Sequence, residues 1–205
     1  MGHGYDRQFD MEAAAMLQVY TGNGKGKTTA AIGLAVRALG AGMRVYIMQF
    51  MKSLAYSEQK ILGEFSPRLV LQTSGKPFFI AKEGMLSREE REKWGTDVVI
   101  FPEGKPPREY LSCMRQGFVE AERQILSGDY SLAILDELNT ALFFGLVERA
   151  AVERLLHAVS PETELVLTGR GAPDWLTDRA DLVTEMREVR HYYTKGIPAR
   201  QGIEN

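Results

Sequence analysis

Cysteine is almost absent from this chain. The single thiol, Cys113, excludes an internal disulfide and any cysteine-cluster metal site. Histidine is nearly as scarce, and His3, His157 and His191 show no metal-ligand spacing. No run of about eighteen apolar residues occurs, so no membrane span is expected. The opening segment, Met1 to Asp10, is polar and lacks the apolar core of a signal peptide. Asp6 stands where a myristoylation signal needs Ser or Thr. These absences point to a cytoplasmic protein. Excess basic charge is missing too: 25 Lys and Arg face 27 Asp and Glu, a net charge of −2. That disfavours a polyanion-binding surface and, with it, a nucleic-acid motor. There is no internal repeat and no low-complexity tract.

What the chain does hold is length for one domain, 205 residues, and one dominant stretch. Residues 1–15 read as an N-terminal arm and 16–205 as the folded domain. From Tyr20 to Ala30, three glycines, two lysines and three threonines crowd one turn. An apolar strand, Met16 to Tyr20, precedes it, and a helix over 27–40 follows. Strand, glycine-rich turn and helix make a phosphate cradle, because backbone N–H groups converge on anionic oxygens at a helix N-terminus. Lys27 is placed to reach phosphate, and Thr28 to offer its hydroxyl to Mg²⁺. The usual pattern, G-x-x-x-x-G-K-[ST], would put its first glycine at position 21. Thr21 stands there, and Gly22 comes one place late.

Further along, Arg44 to Phe50 is nearly continuous in apolar and β-favouring residues, as in a strand buried on both faces of a parallel sheet. A helix is expected over 53–65 and a strand over 68–73. Residues 74–107 show no clean period. They read as a lid or insertion, with a loop over 74–84 and a short helix opened by the capping box Ser87 to Glu90. A helix over 108–127 buries Leu111, Met114, Phe118, Ala121 and Ile125. Ser131 to Asp136 and Glu164 to Thr168 are buried strands, and 181–190 alternates like an edge strand. Strands alternating with helices predict an α/β fold with a mostly parallel, RecA-like sheet flanked by helices.

Two more constellations sit at strand ends. Asp136 and Glu137 close the apolar run from Leu132, at the sheet edge where open α/β sheets bind ligands. The pair could hold Mg²⁺ close to the Thr28 hydroxyl. Thr168 to Gly171 follows another buried strand, and Arg170 is placed to contact phosphate, sugar or base. Taken alone, each is equally an ordinary strand exit or a solvated turn.

Together, the run Tyr20 to Ala31, Val45 to Lys52, Leu135 to Leu138, Leu167 to Gly171, Ala180 to Met186 and the ending Lys195 to Glu204 resemble the P-loop corrinoid adenosyltransferases. The resemblance covers roughly residues 16–73 and 108–205, and the family's phosphate loop has the same late glycine. It implies that a Co(I) corrinoid attacks the 5′ carbon of ATP and releases triphosphate. The implied site has Gly22, Asn23, Gly24, Lys25, Gly26, Lys27, Thr28, Thr29 and Arg170 on the nucleotide. Thr28, Asp136 and Glu137 would hold Mg²⁺, with Lys27 and Glu137 as candidate catalytic residues. Phe78 and Phe79 would lie toward the corrinoid. There the family often has Gly-Phe-x-Trp; here the matching segment starts at Gly75, with Lys76 at the Phe place and Phe78 at the Trp place. The resemblance also implies a homodimer, and a flavoprotein is a candidate reductant.

Two other functions fit the same phosphate loop. One is a RecA-like ATPase acting as motor or switch, with Glu137 positioning water. The other is a corrinoid- or ATP-binding module without turnover. The three part on products: adenosylcobalamin and triphosphate, ADP and phosphate, or none.

Overall fold

The computed structural model describes residues 15–53, 56–94 and 97–204. Of the expected arm, only Ala15 falls within them, packed against the core. In chain order the elements are β1 (Leu17–Thr21), α1 (Lys27–Gly40), β2 (Val45–Phe50), α2 (Ser57–Gly63) and β3 (Leu69–Ser74). Then come β4 (Phe79–Lys82), α3 (Arg88–Trp94), β5 (Val98–Phe101), α4 (Arg108–Ile125) and β6 (Leu132–Asp136). Next come α5 (Leu138–Phe143), α6 (Arg149–Ala158), β7 (Glu164–Thr168), α7 (Asp174–Thr177) and β8 (Leu182–Glu185), followed by a short 3-10 turn, Tyr192–Lys195.

Six strands form one sheet in the order β3-β2-β6-β7-β1-β8, and every pairing in it is parallel. The expected α/β fold with helix-flanked parallel sheet is therefore present. Central strands carry apolar side chains on both faces because both are covered. In β2, Tyr46, Met48 and Phe50 join Met114, Phe118, Ala121 and Ile125 of α4 in one core. The alternate residues Val45 and Ile47 join Ala31, Ala35, Ala38 and Leu39 of α1 in the other. All six residues of β2 are buried, whereas all four of the edge strand β8 are exposed.

The middle of the chain differs from expectation. The segment over 74–84 is not all loop: β4 pairs in parallel with β5, Phe79 opposite Val98. Each strand has four residues and its partner lies beyond α3, so neither a period nor a tight turn announces the pairing. Ile80 and Phe101 of this ribbon are buried in the main core. Ser87 and Glu90 do form the capping box, the Glu90 N–H donating to Ser87 Oγ and the Ser87 N–H to Glu90 Oε2. The helix expected over 53–65 is shorter, and the strand expected over 181–190 stops at Glu185 because the chain then turns across the phosphate loop. Among the described residues, no helix is long and apolar enough to cross a membrane.

Candidate active site

The parallel sheet brings the carboxyl ends of β1, β6 and β7 side by side. There the loop 22–26 leaves β1 and enters α1 through Gly26, whose φ of 119° lies in the left-handed region. The first turn of α1 carries no acidic residue, so its positive dipole end is free to meet an anion. The late glycine has a packing reason. Thr21 is the last residue of β1, and its hydroxyl accepts the Ala172 N–H. Gly22, with φ of 96°, lies where a Cβ would stand 2.4 Å from the Met186 carbonyl oxygen. The same carbonyl accepts the Gly24 N–H at 2.7 Å.

Lys27 is buried, and its Nζ donates to the Gly22 and Gly24 carbonyls, both at 2.7 Å. Burial lowers its pKa, partly offset by Glu137. Thr28 Oγ1 donates to Asp136 Oδ1 at 2.9 Å, as does Thr168 Oγ1 at 2.6 Å. On the other oxygen, Lys52 Nζ donates to Asp136 Oδ2 at 2.9 Å and Gln49 Nε2 at 3.3 Å. Lys52 also approaches Thr28 Oγ1 at 3.4 Å and Glu58 at 3.8 Å. Burial opposes the Lys52 charge, but Asp136 overrides it and the pKa is raised.

Glu137 sits at φ of 61°, left-handed and non-glycine. Its N–H donates to Thr168 Oγ1, and its Oε2 accepts the Thr140 hydroxyl at 2.5 Å. Burial, then the adjacent Asp136, push the Glu137 carboxyl above the usual carboxylate range. Such strain at a sheet edge is a common mark of a working residue. The Arg170 N–H donates to Thr140 Oγ1, and Arg170 and Glu137 both line the cleft.

A cleft of about 680 Å³ is lined by Asn23 to Thr29, Lys52, Glu137 and Arg170, whereas Gly22 and the buried Asp136 and Thr168 are not on its lining. It is of a size that takes a nucleotide. Phe78 and Phe79 are not on its lining. Phe78 packs against Tyr110, ring centroids 5.5 Å apart, while Phe79 is 51% exposed on β4. Among the described residues, no three His, Cys, Asp or Glu gather to hold a metal by protein ligands alone.

Sequence reasoning missed several members of this site. Lys52 could have been flagged as the charged residue following a fully buried strand. Thr168 was grouped with the glycines after it, not with Asp136. The tail, Lys195 to Glu204, carries a family resemblance but no sign of its partner, and Glu204 reaches Lys25 at 2.9 Å.

A sequence model of the family described as ATP:corrinoid adenosyltransferase BtuR/CobO/CobP matches residues 13–205. A corrinoid adenosyltransferase of Pseudomonas aeruginosa is 32% identical over 190 residues, covering 92% of this chain and 83% of that protein. One from Sinorhizobium is 32% identical over 192 residues, with 92% and 79% covered. Corrinoid adenosyltransferase CobA of Salmonella typhimurium is 30% identical over 193 residues, with 94% and 87% covered. The match takes in the phosphate loop, both carboxylates and the tail, and the chain belongs to the ATP:corrinoid adenosyltransferase family.

Proposed function

We infer that this protein transfers the 5′-deoxyadenosyl group of ATP to the Co(I) centre of a reduced corrinoid, with inorganic triphosphate leaving. The observation that carries the reading is the phosphate cradle at Gly22 to Thr29, meeting Asp136 at the Thr28 hydroxyl. Family membership says which reaction that cradle serves.

The leaving group is the whole triphosphate, so the protein's task is to hold and neutralise growing negative charge. Lys27 trades its two carbonyl acceptors for phosphate oxygens. Loop amides between Gly22 and Thr28, other than that of Gly24, which is held by the Met186 carbonyl, supply further donors. Asn23, Thr29 and Arg170 stand at the rim, as does Lys25, whose ammonium is held by Glu204. Thr28 Oγ1 and the carboxylates of Asp136 and Glu137 are hard oxygen donors of the kind that suits Mg²⁺. Two carboxylates and a hydroxyl leave room for phosphate oxygens in its coordination shell. Bound there, Mg²⁺ would screen the triphosphate charge. No protein base is needed at the reacting carbon, since the nucleophile is the substrate's own reduced metal.

Phe78 and Phe79 are proposed for the corrinoid side, where aromatic surface would crowd the lower face of the macrocycle. Residues 74–107, containing β4, α3 and β5, are proposed to cover that side. The family reading also carries a homodimer, a cytoplasmic setting and a flavoprotein reductant as proposals, the first open to size-exclusion chromatography.

The deciding experiment supplies ATP, Mg²⁺ and chemically reduced cob(I)alamin. Adenosylcobalamin should appear with triphosphate, one for one. ADP and phosphate instead would make the chain an ATPase, and tight ATP binding without product would make it a binding module.

A further inference from the structure

The end of the chain returns to the phosphate loop. Residues 200–204 are held there by Glu204. Its carboxylate accepts Lys25 Nζ at 2.9 Å, the Arg200 N–H at 2.7 Å, Arg200 Nη2 at 3.1 Å and the Tyr192 hydroxyl. Lys25 Nζ donates as well to the Ile203 carbonyl at 2.8 Å and to Tyr192 Oη at 3.3 Å. The Arg200 guanidinium stacks over the Tyr192 ring at 4.8 Å. The Glu204 side chain is only 14% exposed, although it sits at the end of the described chain.

This clasp sets what lies beside it. Gly202 and Ile203 line the nucleotide cleft, as do Ile32 of α1 and Ile61 of α2. The loop amides and Lys27 account for the anionic half of a nucleotide. The other half is a flat, largely apolar nucleoside, which binds between apolar walls. Ile61 and Ile203 are 52% and 56% exposed, so both offer apolar surface that a ligand could cover.

We propose that Glu204 is a positioning residue that clasps the chain end to Lys25, so that Ile203 forms one wall of the nucleoside half of the cleft. This rests on the cleft being the ATP site. The clasp acts on the nucleoside and not on the phosphates, because Lys25 and Glu204 neutralise each other at the rim. Releasing Lys25 adds a free cation beside the phosphate loop, which favours a bare polyphosphate.

Two ligands separate these effects: ATP with Mg²⁺, and inorganic tripolyphosphate with Mg²⁺, each titrated calorimetrically into the full chain. For Glu204→Gln, the ATP dissociation constant should rise by about tenfold, with tripolyphosphate unchanged or tighter. Ile203→Ala should weaken ATP and spare tripolyphosphate while the Lys25–Glu204 pair stays intact. Equal weakening of both ligands in Glu204→Gln would overturn the proposal, since the clasp would then act through the phosphate loop. Unchanged ATP affinity in both variants would overturn it as well. Wild-type protein that binds neither ligand would remove the ATP site itself and the clasp with it.

Discussion

The Thr28 hydroxyl donates to Asp136 Oδ1 at 2.9 Å, joining the start of α1 to the end of β6 across 108 positions of chain. That carboxylate, only 1% exposed, accepts four side-chain donors, from Thr28, Thr168, Lys52 and Gln49. A buried charge persists only when so satisfied. The phosphate loop and the acidic strand end are thus one hydrogen-bonded unit.

Breaking that unit should cost stability as well as activity. In Asp136→Asn one amide oxygen replaces two carboxylate oxygens, and the Lys52 ammonium loses its nearest counter-charge, keeping Glu58 at 3.8 Å. The expected loss is about 3 kcal/mol, as for other broken buried pairs, or roughly 6–12 °C in melting temperature for a chain of this size. Lys52→Met in the same background should recover part of it. Thermal melts of both single variants and the double variant check this; additive losses would mean that the two charges are not coupled.

Lys27→Ala should lower kcat by at least about a hundredfold, since it removes a fixed positive charge aimed at the leaving group. Steady-state assays at saturating ATP make the measurement. A loss under about tenfold, or 1.4 kcal/mol, would remove Lys27 from the transition state.

Much of this was legible in the sequence because it is local. The helix at 27–40 and the strand at 164–168 have strong periodicity or unbroken apolar runs between clear breakers, and both begin and end as read. Asp136 and Glu137 were visible as acids ending a buried strand. The pairing of β4 with β5 was not, because four-residue strands separated by a helix carry no period. Nor was the Lys25–Glu204 contact, which joins residues 179 positions apart within segments that are individually polar. Phe78 and Phe79, adjacent in sequence, have different surroundings because Phe78 lies in the bend before β4 and packs on Tyr110, whereas Phe79 opens β4 and is exposed.

Gly22→Ala tests why the loop's glycine comes late. The new Cβ would meet backbone at 2.4 Å and sit at a φ of 96°. Neither can relax cheaply, because the Met186 carbonyl it meets also accepts the Gly24 N–H. A loss of about 2 kcal/mol or more is expected. Gly33→Ala in α1 meets nothing within 4 Å and should stabilise by about 0.4–1 kcal/mol. Urea titrations compare the two, and equal stabilities would contradict the close approach to Met186.

Glu137 should make the fold pH-sensitive. Burial first, then Asp136, hold its carboxyl above the usual range. A folded-state pKa above the unfolded one contributes stability below the unfolded value. That contribution is lost as pH rises through the folded value. Glu137→Gln keeps an acceptor for Thr140 and removes the charge. With EDTA present, its melting temperature should exceed wild type near pH 7 and converge with it near pH 4. A gap that does not change with pH would mean the buried carboxylate carries no strain of this kind.

The two phenylalanines should divide their tasks. Phe78 packs edge-on against Tyr110 and the main core, whereas Phe79 is 51% exposed. Phe78→Ala should therefore cost about 2–3 kcal/mol of stability through lost packing. Phe79→Ala should change stability by less than about 0.5 kcal/mol. If aromatic surface at this strand crowds the corrinoid, Phe79→Ala slows reduction of the enzyme-bound Co(II) corrinoid and leaves ATP affinity intact. Visible absorption follows the Co(II) to Co(I) step directly. Reduction slowed only in Phe78→Ala, beyond its loss of folded protein, would move the contact inward to the Tyr110 side. Unchanged reduction in both would take the corrinoid away from this strand.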